Sequence, residues 1–315
     1  MIRRLSARLV RAAVALVAVC AFVGLAVELM PGDAAEIRAG SYATPEDIER
    51  IRAEQGLDRL AIVRWFAWAA GALHGDLGAS AVSGRPVSEM IAQRLPITAT
   101  LAGLAVLIAI PLAAAATVPA ARAAARGRRT AGVGLTAAVA IPQVVVAVGL
   151  IALFAGVLGW FPAVSFLAPG VPPLAQPDRL VLPVATLALP SAAFAAVLIR
   201  GAAVDAITSP HVRDARLRGV PRVTVAMRYL ARPLAAPIVQ VSAVVGGSLI
   251  AGTALVEAVF GISGLGEMLV TGVATRDVAV VQAIAMLGAI AVLAGLLVAD
   301  LLGDITAYRR ERGAS

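Results

Sequence analysis

Six apolar runs, each long enough to cross a bilayer, alternate with short polar stretches along the chain. The first follows the arginine-rich residues 1–11 and reaches about residue 30, and the others are 97–118, 131–158, 180–199, 238–256 and 278–299. The pattern predicts an all-α integral membrane fold with six transmembrane helices. The first run exceeds the h-region of about 7–15 residues in a secretory leader, so it is read as an uncleaved helix. Pro111 falls inside the second run, Pro142 inside the third, and Pro183 and Pro190 inside the fourth. The third run is the longest; it must tilt or kink, and Pro142 supplies a cause.

Charge then orients the runs. Arg3, Arg4, Arg8 and Arg11 precede the first, and Arg122, Arg126, Arg128 and Arg129 form a loop without an acid after the second. Arg200 closes the fourth, and Arg309, Arg310 and Arg312 follow the sixth. By the positive-inside rule these clusters are cytoplasmic, which puts both termini inside. Residues 1–30 are then an N-terminal membrane helix, 31–95 an extracytoplasmic segment, and 96–315 a core of five spans with a cytoplasmic loop over 200–236. In the far-side segment Thr44-Pro45-Glu46-Asp47 predicts a capped helix start, with a stop at Gly56. Trp65 and Trp68 are expected at the membrane interface. His74 has no second histidine or cysteine nearby and is read as a hydrogen-bonded residue.

The most informative polar stretch is 209–237, which carries six arginines between two apolar runs. Ser209 stands where a helix cap belongs, and Pro210 fits the first helical position because its missing N–H costs nothing there. Gly219 is the natural stop, and Pro221 forbids continuation. Between them Val212, Ala215 and Leu217 offer an apolar side, and Arg213, Asp214, Arg216 and Arg218 supply charge. A second amphipathic piece covers 223–230. A basic loop that only touches anionic headgroups needs no such caps and stops.

These residues resemble the EAA-type loop of ATP-binding-cassette importer permeases, in the form found in the dipeptide/oligopeptide/nickel branch. That branch reads ARAKG and then RNALLP; here the loop reads Ala215-Arg216-Leu217-Arg218-Gly219 and Arg232-Pro233-Leu234-Ala235-Ala236-Pro237. It departs where the branch has an acid–Tyr pair, with Pro210-His211 in that place. Further likenesses follow the same order as in the branch. They are the Pro-Gly-Asp at 31–33, Gly56-Leu57-Asp58, Gly75-Asp76-Leu77-Gly78 and Arg85-Pro86-Val87. Glu257-Ala258-Val259-Phe260, Gly264-Leu265-Gly266 and Arg276-Asp277 complete the series, with Ser263 in place of the usual proline. The resemblance covers almost the whole chain. It implies a permease that works beside a second, homologous permease, two cytoplasmic ATP-binding subunits and an external solute-binding protein in a bacterial inner membrane. It also implies that Ser209, Arg213, Asp214, Ala215, Arg216, Arg218 and Gly219 belong to the short helix that docks on the ATPase. Glu257, Phe260, Gly264, Gly266, Arg276 and Asp277 are candidates for gating or structure.

Composition narrows the alternatives. A chain of 315 residues that is 60% hydrophobic, with mean hydropathy +0.90, is too apolar for a soluble domain. The net charge of +8 sits at the ends of apolar runs, so nucleic acid is not an expected partner. The chain contains no lysine and so cannot supply a P-loop lysine; phosphate energy must come from another subunit. Cys20, the single cysteine, lies within the first apolar run and is read as a buried small hydrophobe. No nucleophile, acid/base pair or metal cluster can be assembled, so neither enzyme activity, cofactor nor metal is expected. Two other classes share parts of the pattern. One is a non-translocating scaffold, for which the central loop is only a lipid contact. The other is an ion-coupled carrier, against which counts the lack of an ionisable group near the middle of any predicted span. Glu257, at the end of the fifth run, reads equally as a carboxylate reaching the interface, as a partner of Arg276, or as a gating group. Asp300 and Asp304 are expected to meet arginines.

Overall fold

The computed structural model describes residues 2–28, 34–40, 43–54, 58–127, 132–168 and 170–312. The Pro-Gly-Asp turn, the stop at Gly56, and Arg128 and Arg129 lie outside them. Among the described residues every regular element is helical. In order these are α1 (Ile2–Glu28), α2 (Ala34–Ala39), α3 (Pro45–Glu54), α4 (Ala61–Leu73), α5 (Val87–Ala125), α6 (Val133–Val139) and α7 (Gln143–Leu150), which continues as a π-helical turn Ile151–Val157. After a 3-10 turn at Pro173–Ala175 come α8 (Pro177–Thr208), α9 (Pro210–Leu217), α10 (Arg222–Thr224), a π-helical segment Val225–Ala231, α11 (Arg232–Phe260), α12 (Leu265–Ala274) and α13 (Val278–Arg312).

Four helices hold uninterrupted stretches long and apolar enough to cross a membrane: Ser6–Val27 in α1, Val87–Ala125, Pro177–Thr208, and Val278–Leu301 in α13. The helices overrun the apolar runs. At about 1.5 Å per residue, the 39-residue α5 is roughly 58 Å long against a hydrocarbon core of about 30 Å. It begins ten residues before the predicted second span and carries Arg122 in its last turn. Likewise α8 runs past Arg200 to Thr208. Of the tilt or kink expected of the third run, the structure shows a sharp kink: α6 and the helix that starts at Gln143 meet at 87°, across the break that holds Pro142. The residues after the fifth run are also helical. The Gly252–Phe260 end of α11 and α12 meet at 86°, so α12 is a short helix that hydropathy alone did not separate from the loops.

The core explains the abundance of alanine. Ala102, Ala105, Ala109 and Ala113 of α5 are buried with Ala188, Ala192, Ala195, Ala196 and Ile199 of α8 and with Val241, Val245 and Leu249 of α11. Small side chains at helical spacing let helix backbones approach closely, and dispersion over the whole contact then holds them together. Thr117 of α5 adds a bond across the contact, donating to the Ala196 carbonyl at 3.3 Å. Glycines let α11 and α13 approach backbone to backbone. A Cβ on Gly247 would stand 2.9 Å from the Ala291 carbonyl oxygen of α13, and one on Gly295 of α13 would overlap the Ala243 carbonyl oxygen of α11. A second, smaller core at the α4 end of the bundle packs Val87 and Ile91 of α5 with Leu265 and Met268 of α12 and Val280, Ala283 and Ile284 of α13.

The far-side segment is tied down locally. Thr44 and Asp47 form a reciprocal cap at the start of α3: the Thr44 hydroxyl lies 2.8 Å from an Asp47 carboxylate oxygen, and the Asp47 amide donates back at 3.3 Å. That hydroxyl, with the Thr44 amide, holds the exposed Asp47 carboxyl below its ordinary range. Both tryptophans have partners within the chain. Trp65 is buried beside Gly24 of α1, and Trp68 donates to the Leu77 carbonyl at 3.1 Å. His74 caps α4 and contacts the Ala70 carbonyl at 2.9 Å. Cys20 is buried, as expected. Asp300 pairs with Arg8 at 3.3 Å, joining α13 to α1.

At the crossing of α11 and α13, Gly295→Val or Gly247→Val is expected to cost about 1–3 kcal/mol through overpacking. Gly288→Ala, where a Cβ meets open space, is expected to cost little. Thermal unfolding of the full chain in mild detergent reads the difference; equal midpoints for Gly295→Val and the parent would remove the proposed crossing.

Candidate functional site

The residues singled out from the sequence fall into two groups at opposite ends of α11. The first is the surface loop between α8 and α11. Only Ser209 separates α8 from α9, with φ −58° and ψ 144°; its carbonyl accepts from Val212 and Arg213, but its side chain makes no capping hydrogen bond. The cap position was therefore legible and its side-chain chemistry was not. The stop behaves as expected: Gly219 has φ +73°, its amide bonds the Arg216 carbonyl at 3.1 Å, and the Val220 amide reaches the Ala215 carbonyl at 3.0 Å.

Two of the three apolar positions of α9, Val212 and Ala215, are completely buried against the ends of α8 and the π-helical segment. Leu217 is not; it is 80% exposed. Val223 and Met227 are exposed on the same loop, while Val225 and Leu230 turn inward. The loop therefore presents three bare apolar side chains among the exposed Arg213, Arg216, Arg218 and Arg228. Arg218 forms an ion pair with Asp214 at 2.7 Å, worth about 0.3–0.5 kcal/mol for an exposed pair one helical turn apart. Val223 and Met227 were passed over at the sequence level because an apolar residue in a helical pattern is ordinarily assigned to the core.

The second group surrounds the start of α12. Gly261, with φ +66°, ends α11, and the Ile262 amide returns to the Glu257 carbonyl at 2.8 Å. The chain then doubles back so that α12 begins beside the Glu257 carboxylate. One oxygen, Oε2, accepts from the Gly266 amide at 2.5 Å and the Glu267 amide at 3.1 Å; the other, Oε1, accepts from the Thr98 hydroxyl of α5 at 2.6 Å. Thr253 contributes a further side-chain hydrogen bond. The Thr98 oxygen in turn accepts from the Leu265 amide at 2.9 Å. The first three amides of α12 are thus all satisfied, and a carboxylate sits where the helix dipole favours negative charge.

Glu257 is completely buried. It is buried away from the surface and is not the ion-pair partner of Arg276; the ion pair to another helix at this place is that of Glu267 with Arg94 of α5 at 2.5 Å. Both glycines of the motif have steric reasons. A Cβ on Gly264 would overlap the Glu257 carboxylate, and one on Gly266 would overlap the backbone of Ala254 in α11. Phe260 is buried, and its carbonyl accepts from the Ser165 amide at 2.8 Å.

Arg276 and Asp277 finish this end. Arg276 takes the left-handed conformation, φ 54°, that closes α12, with the Asp277 amide bonding the Gly272 carbonyl at 2.8 Å. The buried Asp277 carboxylate opens α13, accepting from the Val280 amide at 3.4 Å. It also takes the Ser80 hydroxyl and, at 3.2 Å, the Ala81 amide, which ties the loop after α4 to the bundle. Thr98, Arg94 and Ser80 were missed in the sequence. A threonine in an apolar run carries no signal of its own, because it can satisfy its hydroxyl on its own helix, as Thr186 does on Leu182.

Known proteins carry the same arrangement of segments. Residues 105–312 match the model of the binding-protein-dependent transport system inner membrane component, and residues 1–102 match the N-terminal model of that membrane component. A putative peptide transport system permease protein of Brucella abortus (strain 2308) is 35% identical over 259 residues, 82% of each chain. A probable peptide ABC transporter permease protein of Sinorhizobium fredii is 30% identical over 298 residues, 92% of this chain and 95% of the relative. The glutathione transport system permease protein of Salmonella choleraesuis is 34% identical over 294 residues, 91% and 92% of the two chains. With the family models matching from end to end, and with apolar helices, a capped arginine-rich loop and a helix turned back on α11, this chain belongs to the family of binding-protein-dependent transport system inner membrane components.

Proposed function

We propose that this chain is a transmembrane permease subunit of an ATP-driven importer that takes peptides, or a related small solute, from an external binding protein into the cytoplasm. The observation that carries the reading is the surface loop. The loop presents Leu217 of a short helix stopped by a left-handed glycine, and Val223 and Met227 beyond that stop, among exposed arginines, and it is joined through Ser209 to α8 and through the π-helical segment to α11. Bare apolar side chains ringed by charge suit a protein groove better than a headgroup layer. The names of the peptide and glutathione permeases support the choice of cargo class. In this reading the chain works with a homologous second permease, two cytoplasmic ATP-binding subunits and the binding protein. Both termini and the loop over 200–236 face the cytoplasm, and residues 31–95 face outward.

The loop would act mechanically. ATP binding moves the docked helix α9, and the backbone continuity at each end passes that motion to α8 and α11, two helices that both contribute to the core. In this reading ATP hydrolysis belongs to the partner subunits.

Four outcomes are expected. Solubilised gently from its native membrane, the tagged chain should bring down ATP-binding subunits and a second permease; recovery of the chain alone, with the ATPases expressed, would favour a scaffold. Reconstituted uptake should require ATP, and uptake that persists without ATP and collapses with an ion gradient would favour a carrier. Gly219→Val should uncouple uptake while leaving insertion intact. A Cβ there meets open space, so the whole penalty is the left-handed backbone, about 1–2 kcal/mol, and Gly219→Asn should retain uptake. Normal uptake by Gly219→Val would discard the mechanical role of the stop. Arg216→Glu should weaken co-purification of the ATPase several-fold, and unchanged recovery would place the docking face elsewhere.

A further inference from the structure

The bonds at the start of α12 divide into two sets. One set joins α12 to α11: the Gly266 and Glu267 amides on Glu257, and the contact of Gly266 with the Ala254 backbone, which leaves no room for a Cβ. These make the end of α11 and the start of α12 a single body. The other set joins that body to α5: the Thr98 hydroxyl on Glu257 at 2.6 Å, the Leu265 amide on Thr98 at 2.9 Å, and Arg94 on Glu267 at 2.5 Å. Thr98 and Glu257 are buried, so water cannot replace a partner that moves away. A buried carboxylate stripped of its donors is costly, which makes this joint either closed or broken. The loop proposed to meet the ATPase lies at the other end of α11, about 43 Å away for its 29 residues.

We propose that Glu257 and Thr98 are positioning residues of the transport cycle. They fasten α12 to the outer ends of α11 and α5, so that displacement of the surface loop at the inner end of α11 is delivered to the outer face. Without them the same displacement is lost as a slide between α11 and α5. Neither residue is proposed to touch cargo. The inference rests on the permease reading above, and it assigns Glu257 and Thr98 a role that helix packing alone does not require.

The test uses the complete transporter, reconstituted in liposomes with its binding protein and a mixture of labelled di- and tripeptides. Glu257→Gln keeps the volume and leaves an oxygen for the Gly266 and Glu267 amides, but it removes the charge and sets an NH2 donor against the Thr98 hydroxyl, which can then no longer donate there. Thr98→Val removes only the hydroxyl, and Thr98→Ser keeps it. The expected result is that Glu257→Gln and Thr98→Val assemble at parent yield and keep basal ATP hydrolysis within about twofold. Both should lose uptake, and the stimulation of hydrolysis by binding protein, by tenfold or more, while Thr98→Ser stays near the parent. Uptake by both variants close to the parent would overturn the inference. So would a Thr98→Val complex whose yield, basal hydrolysis and uptake fall together, because that is a purely structural loss. Should Glu257→Gln fail to assemble, the contrast between Thr98→Val and Thr98→Ser decides. A parent complex that assembles and hydrolyses ATP but moves no peptide in either direction would overturn the permease reading itself, and the inference with it.

Discussion

A single buried carboxylate organises the end of the bundle away from the arginine-rich loop. Taking the Glu257 side chain out of water is expensive, and the cost is offset because every group it meets is a donor: two amides of α12, the Thr98 hydroxyl and Thr253. This requirement fixes much else. Gly264 must lack a side chain because the carboxylate occupies its space, and Gly266 must lack one because α12 has been drawn onto the Ala254 backbone. The small core of Val87, Ile91, Leu265, Met268 and Ile284 then closes over the same place. Three segments far apart in sequence meet there: α5, the end of α11 with α12, and α13.

The opposite end follows a different logic. The short helix α9 buries only Val212 and Ala215, enough to seat it on α8 and the π-helical segment. Leu217 of this helix, and Val223 and Met227 after it, are left bare among arginines in this chain. A monomer has no use for such exposure, but a chain that belongs to a multi-subunit transport family does. The π-helical geometry helps, since its wider turn brings Val225 and Leu230, five residues apart, to the inside together while Met227 stays out.

Between the two ends the packing depends on alanine and glycine, not on large side chains. In a bilayer the lipid is as apolar as leucine, so helices gain from close backbone approach and not from burying apolar area. The Gly247–Gly295 crossing of α11 and α13 and the alanine faces of α5 and α8 are instances of that rule. They also leave the bundle with thin walls between helices, which suits rigid elements that move as units.

Hydropathy and charge by themselves determined the class: apolar runs, arginine clusters at their ends, a short helix bounded by Ser209 and Gly219 in the central loop, and the Thr44–Asp47 box were all legible because they depend on neighbours in sequence. The tertiary structure alone decided the rest. Nothing local distinguishes a 131–158 run that spans from one broken by 87°, because both are equally apolar and contain the same proline. Nothing local assigns Leu217 outward and Val212 inward, since the burial of each depends on what α8 and the π-helical segment place beside it. Nor does a glutamate at the end of an apolar run announce its partners. Its donors come from Thr98, 159 residues earlier, and from a helix start that exists only because the chain turns back at Gly261. A buried charge is satisfied by three-dimensional proximity, and that information is not carried by the spacing of residues along one stretch of chain.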